Sequence, residues 1–161
     1  ILMISSMITG SILAKYEAAF AVIPLLVTFI PMLTDTGGNA GSQSSTMIIR
    51  GMAVGEIEAG DILRVLWKEL RVGVIVGVLL GLVNYIQLVI RFPGQEMLCL
   101  TVVLSLLATV MLAKTIGCVL PIVAQVLHLD PAIMAAPLIT TIVDAVSLII
   151  YFQLACSLLK I

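Results

Sequence analysis

Charge is scarce in this chain. Of its 161 residues only 11% are Asp, Glu, Lys or Arg, against about 25% in an average soluble domain. The net charge is −1, so no basic field exists to attract nucleic acid. Cysteine is sparse too: Cys99, Cys118 and Cys156 stand singly in apolar runs. No CxxC or other metal-ligand spacing occurs, and an odd number argues against a disulfide framework, so all three read as small buried hydrophobes. The single histidine, His128, has no nucleophile beside it. There is no GxSxG-like elbow and no second positioned acid of the kind hydrolysis needs. Catalysis is therefore not expected, and the chain reads as a non-enzyme.

What the chain has instead is apolar side chains, 61% of the total, with a mean hydropathy of +1.26. No fold of this size hides so much apolar surface from water, so lipid is the solvent for most of it. A membrane helix needs about 20 predominantly apolar residues. Five candidate spans follow: 1–14, 18–33 (interrupted by Pro24 and Pro31), 72–90, 97–123 and 131–159. The expected architecture is an all-α, multi-pass membrane protein forming one domain over residues 1–161. The first run begins on Ile1 without the basic region or cleavage site of a signal peptide. It is expected to be a span whose start is cut off, the natural protein extending further N-terminally.

Residues 50–71 hold Arg50, Arg64, Lys68 and Arg71, half of the eight basic side chains, which places this connection in the cytoplasm. With five spans the N-terminus is then cytoplasmic and the C-terminus outside. Ile62, Leu63, Leu66, Trp67 and Leu70 suggest a short amphipathic helix lying on the membrane surface. Gly73, Gly77 and Gly81 repeat every four residues, a smooth stripe that favours close helix packing over a substrate groove.

Two features carry chemistry. Asp144 lies near the middle of the last span. A carboxylate there costs about 2.5–3.5 kcal/mol on insertion scales and marks an ion or proton path. The competing expectation is an ion pair with Lys114, the other charge inside a span. Thr140 and Thr141 precede Asp144 by four and three residues and share its helical face. Pro137 removes a helical hydrogen bond and so frees a carbonyl. Carboxylate, hydroxyl and carbonyl oxygens suit hard cations. The second feature is GGNAGSQSST, residues 37–46. Pro24, Pro31 and the paired glycines predict backbone that is not an uninterrupted helix, tolerated at membrane depth only where buried in protein or lining a watery cavity. The run lacks the Lys-Ser/Thr pair of a phosphate loop. It reads equally as a pore segment or as an interhelical loop. Asp35 could line a pore entrance or cap the turn. Arg50 and Glu56 could face the cytosolic mouth or pair with each other. The pair His128 and Asp130 reads as a helix start opened by Pro131 rather than as a metal pair.

The stretch PMLTDTGGNAGSQSSTMIIRGMAVGE, the central GCVLP and LDPAIMAAPLITTIVDAVSLIIYF together closely resemble the signature of the MgtE family of magnesium transporters. The resemblance covers essentially the whole chain. It implies a homodimer of five-helix protomers in a bacterial inner or plasma membrane, surrounded by lipid. Its second and fifth helices would line a pore at the dimer interface. It implies that Mg²⁺, the transported ion, is held in hydrated form at Asp144. Asn39, the backbone around Thr140 and Thr141, and the position of Ala136 would complete the shell, and Asp35, Gly37, Gly38, Gln43 and Pro137 would line the path. Some relatives carry Asn where this chain has Ala136, so one side-chain oxygen is missing, and neutral residues where it has Lys114. Relatives commonly bear paired CBS domains that sense magnesium, which are not expected within these 161 residues. The rival expectation is a secondary transporter of another divalent cation, coupled to protons or Na⁺ through Asp144; a purely structural subunit would leave both features unexplained.

Overall fold

The computed structural model describes residues 2–131 and 136–160. They form helices, with no strand among the described residues. In chain order these are α1 (Leu2–Lys15), α2 (Glu17–Val22), a 3-10 segment (Pro24–Phe29), α3 (Ile30–Ala53), a 3-10 turn (Ala59–Asp61), α4 (Ile62–Arg91), α5 (Glu96–Val126) and α6 (Ala136–Leu159). In lipid every backbone N–H and C=O must be satisfied within the chain, which helices do locally. Among the described residues three helices are long and apolar enough to cross a membrane: α4, α5 and α6. Their composition located them within a few residues at most ends.

The second expected span, 18–33, is not one helix. Ile23, at φ −131° and ψ 84°, ends α2, as a residue before proline tends to. Pro24 then opens the 3-10 segment, and Pro31 sits in the first turn of α3, where its missing N–H costs nothing. The prolines break the chain before the GGN run rather than within it. The irregular backbone expected at residues 37–46 is overturned: they lie inside the 24-residue helix α3. The expected surface helix is corrected as well, because Ile62 to Leu70 form the first turns of α4, continuous with the span.

Turns are built by local chemistry. Gly55, at φ +76°, takes the left-handed conformation after α3, and the Glu56 N–H bonds back to the Gly51 carbonyl at 2.9 Å, closing the helix end. The Asp61 carboxylate accepts from the Glu58 N–H at 3.1 Å before α4, one half of a capping box.

Helix α5 is the central post, packed by α3, α4 and α6, while α3 also packs along α6 and α1 lies against α6. Small residues make this possible, since helices in lipid gain from close backbone approach rather than from hydrophobic burial. A Cβ on Gly77 would meet Leu107, and one on Gly81 would stand 3.2 Å from Val103, so the glycine stripe is the α4 face that seats α5. Phe152 of α6 stacks on Tyr16 (ring centroids 4.9 Å apart) and meets Phe20 edge-on at 5.0 Å. The fully buried Tyr151 donates its hydroxyl to the Leu26 carbonyl at 2.9 Å, tying α6 to the 3-10 segment.

Candidate functional site

The glycines of the GGN run explain themselves by what stands against them. A Cβ on Gly37 would lie 2.7 Å from Thr109 Cγ2 and 2.8 Å from Val143 Cγ1. One on Gly38 would touch Thr140 Cγ2 at 3.4 Å, and one on Gly41 would lie 2.9 Å from Ile139 Cγ2. Glycine costs a helix about 1 kcal/mol relative to alanine. Here it brings α3 against α5 and α6 at a distance no side chain allows.

That contact decides which residues of α3 remain on the outside. Gly37, Gly38, Ala40, Gly41, Ser44 and Ser45 are buried, whereas Asp35, Asn39 and Gln43 are exposed. Spaced by four, these three form one polar stripe along the helix. Because Gly38 touches Thr140, the stripe runs beside the α6 face that bears Thr140 and Asp144, both half-buried. The Pro137 carbonyl accepts from the hydroxyls of Thr140 at 3.2 Å and Thr141 at 2.7 Å, which orients both toward the start of α6. The side chain of Ala136 lies outside the described residues. Among the described residues no group of three His, Cys, Asp or Glu side chains converges as a metal cluster.

The fold places Asp35, Asn39 and Gln43 on one helix, α3, and Thr140, Thr141 and Asp144 on the neighbouring α6. Gly37 and Gly38 stand in the helix contact that holds the two together.

Comparison with known proteins gives the family of the chain. The MgtE model, described as a divalent cation transporter, matches residues 30–154, from the start of α3 through Asp144. The chain belongs to the MgtE family. Along 160 residues it is 35% identical to the magnesium transporter MgtE of Thermus thermophilus, covering 99% of this chain and 35% of that one. Over 155 residues it is 34% identical to the magnesium transporter MgtE of Bacillus subtilis, covering 96% and 34%. Its identity to the magnesium transporter MgtE of Enterococcus faecalis is 29% over 160 residues, covering 99% and 35%. The chain thus spans about a third of the length of the curated relatives it matches.

In this MgtE-family chain the intramembrane cation is not matched to Asp144. The alternative of a Lys114–Asp144 pair is corrected: Lys114 Nζ lies 3.4 Å from Glu69 Oε2 and donates to Ser44 Oγ at 3.2 Å, and Ser44 Oγ donates to the same carboxylate oxygen at 2.5 Å. All three side chains are buried. Glu69 falls within the stretch that its charges assign to the cytoplasmic connection, yet a signal for its true place exists. It precedes Gly73, Gly77 and Gly81 by the same four-residue step and so extends the stripe that faces α5.

Elsewhere, Arg50 and Glu56 line a cavity of about 630 Å³ between the end of α3 and the start of α4, together with Arg64, Lys68 and Arg71. His128 adopts a left-handed φ of 56° just after α5, a turn position. Cys99, Cys118 and Cys156 are free thiols, the first two buried.

Proposed function

We propose that this chain moves Mg²⁺ across the cell membrane along a path bordered by Asp35, Asn39 and Gln43 of α3 and by Thr140 and Asp144 of α6. The observation that carries the proposal is the polar stripe on the outside of a single copy, beside a half-buried Asp144. Charged and amide side chains facing lipid are costly, so a second copy and water must cover them. A two-fold homodimer does so, bringing two Asp144 carboxylates to one axis. In this reading α1 and the broken segment from α2 into α3 also cross the bilayer, making five spans.

Magnesium holds its water reluctantly and prefers octahedral oxygen. The side chains fit a hydrated ion: Asp144 supplies charge, while the Asn39 amide and the carbonyls near Thr140 orient the water shell. With no cluster of three acidic or soft ligands among the described residues of one copy, outer-shell binding is the mode these side chains can support. Membrane potential suffices as the driving force, contributing about 4.6 kcal/mol per 100 mV for a dication.

The test is Mg²⁺ uptake into proteoliposomes by the parent and Asp144→Asn. Loss of uptake with the protein still dimeric and helical is expected; unchanged uptake overturns the assignment. Uptake that tracks an imposed proton or Na⁺ gradient at fixed voltage would replace the pore with a coupled carrier.

A further inference from the structure

The α3–α5 crossing presents a difficulty of its own. A Cβ on Gly117 would collide with the Gly41 carbonyl, so the helices meet backbone to backbone there. Surfaces without side chains have few knobs and holes. At this point no side chain interlocks the two helices, so a polar contact nearby adds to the register that the apolar neighbours of α3 supply.

One turn along α3 from Gly41 stands Ser44, and the polar cluster around it joins three helices. Lys114 leaves α5 one turn before Gly117, and its stem passes Gly73: Lys114 Cδ is 3.4 Å from where a Gly73 Cβ would stand. Its ammonium reaches the Ser44 hydroxyl of α3 and the Glu69 carboxylate of α4. A slide of α3 by one residue moves it about 1.5 Å and turns it about 100°. That would strand a buried charge or donor, the costliest loss in a nonpolar interior. Buried polar groups are best attested as setters of register in such settings.

We propose that Ser44, Glu69 and Lys114 form a register lock for α3, and thereby position Asn39 against Asp144. The inference rests on the transport path proposed above in its second half only; the lock itself is a statement about α3. These are positioning residues, since none touches the ion. They also give Lys114 a place away from the path, so its charge need not oppose a permeating cation.

The test uses the chain with Cys99, Cys118 and Cys156 replaced by alanine, nitroxide labels at the exposed Met47 of α3 and Gln153 of α6, and excess unlabelled chain so that each distance lies within one copy. Ser44→Ala and the charge-free pair Lys114→Met with Glu69→Leu should both retain helicity yet broaden the distance distribution. In unlabelled protein, Ser44→Ala should raise the KM for Mg²⁺ several-fold with little change in maximal rate, and Ser44→Thr, which keeps the hydroxyl, should restore it. A sharp, parent-like distribution in both variants overturns the lock. A broadened distribution with unchanged Mg²⁺ dependence upholds the lock and counts against the path proposed for α3. Should Ser44→Ala fail to fold, the charge-free pair carries the distance measurement alone.

Discussion

Gly117 of α5 and Gly41 of α3 meet so closely that a single methyl on Gly117 would run into the Gly41 carbonyl, carbonyl carbon and Cα. The obstacle is backbone, which cannot swing aside as a side chain can. Everything on the outer face of α3 depends on this approach, because it brings the helix down onto α5 and α6.

Gly117→Ala is accordingly expected to destabilise by about 1–3 kcal/mol, the range for overpacking a filled interior. Gly10→Ala serves as the contrast, since nothing lies within 4 Å of a Cβ there. It should be neutral or stabilising by up to about 1 kcal/mol through helix propensity. Thermal unfolding of both variants in one detergent makes the comparison; equal shifts would mean that the crossing is looser than described.

Removing one partner of the buried pair should be far worse than removing both. Lys114→Met leaves the Glu69 carboxylate, 5% exposed, without its cation, and breaking a buried pair in this way typically costs about 3–5 kcal/mol. Adding Glu69→Leu should recover most of that stability. A double-mutant cycle by thermal unfolding reads the coupling directly, and additive losses would argue against it.

Tyr151→Phe removes the hydroxyl that bonds the Leu26 carbonyl at 2.9 Å. Both residues are fully buried, and the Leu26 carbonyl keeps its place in the 3-10 segment, so the loss is that of one buried hydrogen bond, about 0.5–1.5 kcal/mol. The melting temperature should fall while Mg²⁺ affinity per folded molecule stays the same.

Asn39→Ala deletes an exposed amide and should leave stability within experimental error. If the amide orients the ion's water shell, the loss of one hydrogen bond to a charged group is worth about 1.5–3 kcal/mol, roughly tenfold or more in apparent affinity. Concentration-dependent Mg²⁺ flux measures it, and an unchanged curve would remove Asn39 from the path.

Much of the fold is legible in the sequence because lipid makes the rule local. Each of α4, α5 and α6 is a long apolar run, and runs of that length can only be helices where backbone groups have no water to bond. The GGN segment defeats sequence reading for a related reason. Glycine and proline interrupt helices in water, where propensity competes with solvation. In this chain Pro31 falls in a first turn, and the glycines are seats for neighbouring helices, so α3 runs straight through them. Glu69 is hidden because it sits among charged residues, although its spacing from Gly73 carries the correct face.

By itself, the order of residues determined that the chain is an all-helical membrane protein, that Asp144 is a charge needing a polar neighbour, and which family motifs surround it. These follow from composition and from intervals along one helix. Only the tertiary structure decided which buried polar groups are partners: Ser44, Glu69 and Lys114 come from three helices, 25 residues apart in the first step and 45 in the second. It also decided that Asp35, Asn39 and Gln43 face outward beside Asp144. Both outcomes depend on how closely α3 can approach α5, and that distance is set by two glycines that are 76 positions apart in sequence (41 and 117).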